Sequence, residues 1–199
     1  MKKIIVDLAV IATAVGLLVG GVALAAPNAN SSNKLQCFDG QPDYPGTCSI
    51  SNGVATLNNS TGPYSGVYIS GSNLSGRTLS QVANLSFNYT GTPTNGSPRM
   101  TLPIDMNGDG TTDDYLSISA YFCNNGAGIV DAINDSTCTI YRNGDGTNPV
   151  GQNWADLVAN HPTWTVGPAG DLPFIIADDT GSWTVSNVHI GKAARTTGK

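Results

Sequence analysis

Between Asn84 and Tyr89 apolar and polar residues alternate strictly, with Leu85, Phe87 and Tyr89 on one side and Asn84, Ser86 and Asn88 on the other. A period of two marks an extended strand with one buried face, because a helix would scatter the same residues around its axis. Gly91 and Pro93 then end the run. Met100, Leu102, Ile104 and Met106 repeat the pattern. Beyond an Asp-rich stretch so do Leu116, Ile118, Ala120 and Phe122, set against Tyr115, Ser117, Ser119 and Tyr121. The last two segments are expected to pair as a hairpin, burying aliphatics on one face and presenting hydroxyls and phenols on the other.

Further strands are expected at 53–57, 66–70, 137–142, 164–167, 174–177 and 183–190, separated by Asn-Gly, Asp-Gly and Gly-Pro turn signals. About eight or nine short strands so spaced predict an all-β fold, a two-sheet antiparallel β-sandwich of jelly-roll type. One short helix interrupts them. Asn153 is placed to cap a turn or two through Trp154, Ala155, Leu157 and Val158, ending at His161 because Pro162 restricts the residue before it. The abundance of Gly, Ser, Thr and Asn agrees with strands and turns. All acidic residues are Asp, and the net charge is −5. The basic residues, Arg77, Arg99, Arg142, Lys192 and Arg195 among them, are scattered, so a nucleic-acid partner is not expected.

Lys2 and Lys3 precede an apolar run from Ile4 to Leu24, and Ala23-Leu24-Ala25 offers the small residues of a signal-peptidase site. The expected organisation is a signal peptide at 1–25, a flexible leader at 26–36, one sandwich domain at 37–191 and a polar tail at 192–199. An uncleaved apolar run is the alternative and would anchor the chain in a membrane. In both cases the domain faces an oxidising exterior. There the four cysteines are expected to pair locally, Cys37 with Cys48 and Cys123 with Cys138, each pair closing a short turn-rich loop. A four-cysteine zinc site would need Cys-x-x-Cys spacing, which is absent.

The one segment with recognisable chemistry runs from Asp105 to Asp114. Ca²⁺ takes about six to eight oxygen ligands, and an EF-hand-like spacing draws them from alternate residues of a loop. Asp105, Asn107 and Asp109 would offer side-chain oxygens, Thr111 its carbonyl and Asp113 a further oxygen, while Gly110 permits the sharp turn. Leu116 stands where an EF-hand has its bidentate Glu, and strands rather than helices flank the loop, so Asp114 is the candidate for the final role. The plainer alternative is a solvated Asp/Gly turn that binds nothing. Asn143 to Asn148 is a poorer echo, expected to be a turn; Asp178 and Asp179 either complete a second ion site or face water.

No catalytic residue is assigned, and an enzyme is not expected. The chain has no Glu for a pair of hydrolytic carboxylates. Asp131 and Asp135 read as turn formers, and His161 and His189 stand without a Gly-x-Ser-x-Gly elbow. The leading expectation is a secreted, calcium-stabilised recognition module that binds a glycan or adheres to a cell-surface polymer. Tyr115, Tyr121, Trp154 and Trp164 are its candidate stacking residues. Trp183, in phase with Val185, is expected in the core. The alternatives are a self-assembling coat or filament subunit and a secreted hydrolase. Asn-x-Ser/Thr triplets at Asn30, Asn58, Asn59, Asn73, Asn84, Asn88, Asn95 and Asn134 matter only in a glycosylating host.

Arg99 to Asp105, running into the Asp-rich loop, and Trp183 to Ile190, closing the domain, give the mature region a likeness to a known class. It resembles secreted jelly-roll or concanavalin-like sandwich domains, carbohydrate-binding modules included, and secreted bacterial proteins with an Asp-rich calcium loop. The resemblance implies the fold and export; it assigns no binding residue.

Overall fold

A computed structural model describes residues 33–38, 46–60, 64–123, 128–143 and 151–192. The expected signal segment, most of the leader, the tail beyond 192 and most of the Asn143 echo lie outside the described residues. The strands are β1 Lys34–Cys37, β2 Thr47–Ser51, β3 Val54–Asn58, β4 Ser65–Ser70, β5 Val82–Thr90, β6 Arg99–Asp105, β7 Asp114–Ser119, β8 Ile129–Asp131, β9 Tyr141–Arg142, β10 Thr165–Val166, β11 Phe174–Ala177 and β12 Ser182–Lys192. Among the described residues one α-helix, α1, spans Trp154–Asn160. A seven-stranded antiparallel sheet runs β1-β4-β11-β6-β7-β9, with β10 also on β6, and a five-stranded one runs β2-β3-β12-β5-β8. The fold is a two-sheet antiparallel sandwich, compatible with a jelly roll.

Period two decides which side chains meet between the sheets. Val67, Ile69, Met100, Leu102, Ile104, Leu116, Ile118 and Ile175 from the larger sheet pack with Ala55, Leu57, Leu85, Phe87, Val130 and Val185 from the smaller, all fully buried. Each fully buried aliphatic or aromatic side chain contributes about 1.5–3 kcal/mol relative to exposure. Trp183 joins this core at 2% exposed and donates its indole N–H to the Thr92 carbonyl at 2.9 Å. Helix α1 begins as expected. The Asn153 side chain accepts from Asp156 N, and Trp154 and Leu157 are its buried residues.

Three strands had no apolar alternation to announce them. β2 carries Ile50 as its one large aliphatic, yet it pairs along its length with β3 through the Asn52-Gly53 turn, whose φ values of 51° and 76° suit a tight hairpin. β1 occupies the end of the expected leader, because its backbone pairs with β4 from Lys34↔Ser70 to Cys37↔Val67. β8 adds to β5 at the far edge of the five-stranded sheet. Conversely β7 stops at Ser119, where Phe122 N and Cys123 N both turn back onto its carbonyl, and of the expected 137–142 strand residues 141 and 142 form β9 while Ile140 makes an isolated bridge to Gln152.

Both disulfides form as expected, and the first of them joins the two sheets. Cys37–Cys48 ties β1 of the seven-stranded sheet to β2 of the five-stranded one. Cys123–Cys138 closes the excursion in which the chain leaves β7, adds β8 to the other sheet and returns to β9. Disulfides of this kind belong to an oxidising, extracellular-type environment. Among the described residues no helix is long and apolar enough to cross a membrane.

Candidate cation loop and ligand surface

The β6–β7 hairpin, in register Leu102↔Leu116 and Ile104↔Asp114, carries the Asp-rich segment as its connecting loop. The loop winds around its own carboxylates. Asp105, 4% exposed, accepts from Gly108 N at 2.6 Å through one oxygen and from Gly110 N at 2.9 Å through the other. Gly108 and Gly110 each have φ of 82°, the left-handed geometry that lets the backbone turn its amides inward. Asn107 Oδ1 accepts from Asp109 N, and Asp109 Oδ1 accepts from both the amide and the hydroxyl of Thr111. Asp113 Oδ2 accepts from Met106 N and Asn107 N, while the Asn107 amide donates to Asp109 and Asp113 at 3.2 Å each. The Thr111 hydroxyl, followed by its amide, holds the Asp109 carboxyl below its ordinary pKa.

The structure thus brings Asp105, Asn107, Asp109, Thr111 and Asp113 into one hydrogen-bonded loop. Asp114 stands apart, already in β7, where its carboxylate pairs with Arg142 Nε at 3.2 Å. Among the described residues no three Asp, Glu, His or Cys side chains gather tightly enough to hold a metal ion, and no lysine or arginine pairs with Asp105, Asp109, Asp113 or Asp171. The donors fit a hard cation in kind, being carboxylate and amide oxygens. Their present partners are backbone amides, the Thr111 hydroxyl and the Asn107 side-chain amide.

Two of the four expected stacking residues lie at this end of the sheet. The β10–β6 register pairs Thr165 with Asp105, which sets Trp164 beside the loop. Trp164 is half-buried, stacks on His161 with centroids 3.6 Å apart, and has the Arg142 guanidinium 5.9 Å from its ring centre. Tyr115, the second residue of β7, is half-buried beside Phe174 at 6.2 Å. Burial raises the pKa of its phenol, and the negative charges of Asp171 and Asp114 add to the shift. Tyr121 lies beyond the opposite end of β7, 55% exposed and edge-on to Phe122. Trp154 is only 5% exposed, because the inward face of α1 needs its ring to seal the core; it offers no open stacking face.

The outward face of β7 also differs from the expected wet one. Ser117 and Ser119 are buried, their hydroxyls bonded to Asn143 Oδ1 and the Asn95 carbonyl, because loops fold over this central strand. Asp178 and Asp179 are consumed by the 94–99 turn. Asp178 takes the Arg99 guanidinium and the Ser97 hydroxyl, while Asp179 takes the Thr94 hydroxyl and Gly96 N.

His189 faces Ser86 across the β12–β5 ladder, with Asp131 beyond Ser86 on β8. That order puts the serine, not the imidazole, in the middle, and both carboxylate oxygens of Asp131 are held by the Asn134 amide. Two contributors were not anticipated in the sequence. Asp171 accepts the Thr112 hydroxyl and Phe174 packs on Tyr115, and neither carries a local motif. No protein-family model, curated protein or solved structure matches the chain, so no residue role is carried over from a relative.

Proposed function

We propose that the protein is a secreted recognition module, glycan-binding or adhesive, whose Asp105–Asp113 loop is clamped by calcium. One observation carries this reading: Asp105, Asp109, Asp113 and Asp171 crowd one end of the larger sheet with no basic side chain paired to them among the described residues. Uncompensated carboxylates repel one another, and a divalent ion among them relieves the repulsion without a basic residue. Asp105, Asn107 and Asp109 would supply side-chain oxygens, Thr111 its carbonyl and Asp113 a further oxygen. Asp114, engaged by Arg142, is left out of the set. The ion stiffens the hairpin end beside Tyr115 and Trp164, the aromatic part of a ligand surface. Two disulfides, one of them joining the sheets, suit a domain working outside the cell.

The test is thermal unfolding of the full chain, oxidised, in calcium and then in excess chelator. Extracellular calcium modules bind at about 10⁻⁴ to 10⁻³ M, so about 10 mM calcium should add about 1.4–2.7 kcal/mol by linkage. An Asp105→Asn, Asp109→Asn double variant should lose that increment. An unfolding midpoint indifferent to calcium, together with no heat of binding, overturns the clamp.

A further inference from the structure

A β-sheet ends in strands whose outer N–H and C=O groups have no neighbour, and folded proteins blunt such edges with charge, proline, bulges or shortness. Most edges of this sandwich are blunted. β1 has four residues and begins with the exposed Lys34, β8 has three and ends on Asp131, and β9 has two, one of them Arg142. β10, also two residues long, is covered by the bonds that Val166 makes with Gly76 and Arg77. β2 is the exception. Its five residues, Thr47-Cys48-Ser49-Ile50-Ser51, carry no charge and no proline and pair with β3 without a break in register. Among the described residues no strand lies on their other side.

The two-residue Asn52-Gly53 turn closes on the hydrogen-bonded pair Ser51↔Val54, and in an antiparallel ladder such pairs alternate with open ones. Ser51, Ser49 and Thr47 thus direct their backbone groups to β3, while the N–H and C=O of Cys48 and Ile50 aim at the open side. Cys48 and Ile50 stand opposite Leu57 and Ala55, which are fully buried, so their side chains share the core-facing side. Ile50 is nevertheless 39% exposed, because no strand covers its flank. The Cys37–Cys48 disulfide already ties this edge to the other sheet, so pairing it requires little further ordering.

We propose that β2 is a dimerisation edge, pairing antiparallel with β2 of a second copy of the chain about a two-fold axis at Ser49. A two-fold contact needs a self-complementary surface, and this strand supplies one. Centred on Ser49, Ile50 faces Cys48 of the second copy, the two exchange both backbone bonds, and the apolar pair covers the open flank of Ile50. On the outer side Thr47 faces Ser51 and Ser49 faces its own counterpart, hydroxyl pairs that suit cross-strand neighbours. Charge favours the same contact. The chain carries −5, yet no charged residue and no His occurs between Asp43 and Arg77, so two copies meet here where their repulsion is least. The N-terminal leader of a neighbour fits the edge less well. Its residues 27–32, Pro-Asn-Ala-Asn-Ser-Ser, contain a proline and no aliphatic larger than Ala, whereas an added strand needs alternating apolar anchors. The pairing goes beyond the recognition-module reading and depends on neither calcium nor ligand; for such a module it makes the particle bivalent.

The test is sedimentation velocity of the full-length oxidised protein over a concentration series reaching about 1 mM, high enough to populate a contact as small as one strand pair. The mean mass should climb from one chain to two and stop there, since a two-fold contact closes on itself. Ile50→Lys, which puts a charge on the edge, should weaken association tenfold or more with the unfolding midpoint unchanged. Ser49→Cys reads the register. Residues opposed in a non-hydrogen-bonded pair lie about 4.5 Å apart, within disulfide range, so mild oxidation should link two chains, while Thr56→Cys, one strand inward on the same face, should link none. A single-chain mass at every concentration, together with no cross-link through Ser49→Cys, overturns the proposal. Association that Ile50→Lys leaves unchanged also overturns it and places the contact elsewhere, the apolar run at 4–24 included. Mass growing past two chains overturns it as well, because open-ended growth joins two different surfaces.

Discussion

Thr112 donates its hydroxyl to Asp171 Oδ2 at 2.5 Å, joining the tip of the β6–β7 hairpin to a segment 59 residues further on. Besides that bond, the loop is tied by its own turns, the strands that enter it and the Arg142 guanidinium on the Met106 sulfur. A hydrogen bond to a charged group contributes about 1.5–3 kcal/mol when shielded, and this half-buried one is expected to give about 1 kcal/mol. Thr112→Val should lower stability by that amount in urea unfolding. Thr112→Val and Asp171→Asn together should cost little more than either alone, and strict additivity would mean the contact does not hold the loop.

Gly66 is where the larger sheet tolerates no side chain. A Cβ there would lie 2.1 Å from the Phe38 ring and 2.5 Å from the Ile175 carbonyl, a backbone atom of the neighbouring strand. Gly66→Ala should therefore cost about 1–3 kcal/mol by overpacking. Gly110→Ala meets no atom within 4 Å, but its φ of 82° makes it strained, so about 1 kcal/mol is expected there. Chemical denaturation of both variants ranks the two penalties.

Asn59 is fully buried and spans the two layers. Its amide donates to the Ala177 carbonyl at 2.6 Å and the Asp179 carbonyl at 3.0 Å, linking the end of β3 to the end of β11. Asn59→Leu leaves both carbonyls short of a donor and should cost about 2–4 kcal/mol, measured by thermal unfolding. In a glycosylating host, peptide mass mapping should find Asn59 unmodified, whereas Asn73 and Asn95, exposed between strands, are open to the transferase.

Asp135 has its carboxyl pKa held below the ordinary value, first by the Thr137 hydroxyl and then by the Thr137 amide. A depressed folded-state pKa contributes stability that is present above the unfolded value and lost as pH falls through the folded one. Stability should therefore decline on the acid side, below about pH 4 where carboxylates begin to protonate. Thr137→Val should shrink that decline by lowering stability at neutral pH, the two proteins converging at the acid end. Unfolding midpoints across an acid pH series for the two proteins check this, and parallel curves would sink it.

Alternation was the most readable signal in the chain. Leu85, Phe87 and Tyr89 face the core as their period requires, as do Met100, Leu102 and Ile104, and the Asn153 cap opens a helix in the expected place. β1 and β2 escaped because they sit at sheet edges with few apolar residues to bury. β8 escaped because three residues are too few to show a period. Ile50 on β2 remains 39% exposed although the strand pairs with β3 along its whole length, so hydrogen bonding and the nearby disulfide, rather than burial, hold that strand.

The candidate site divides in the same way. The Asp105–Asp113 loop was legible because its groups are neighbours in sequence and its glycines announce the turns. Asp171 and Phe174 belong to another part of the chain, and only the β11–β6 register and the turn before it bring them to Tyr115 and Thr112. Sequence by itself determined the longer alternating strands, the local cysteine pairs, the core tryptophan and the acidic loop, since each depends on spacing along the chain. Tertiary structure alone decided that Asp114 answers to Arg142, that Trp154 is sealed in, and that Phe174 packs against both Tyr68 and Tyr115. Strand pairing sets neighbours across the sheet, and no local pattern encodes which distant strand will lie alongside.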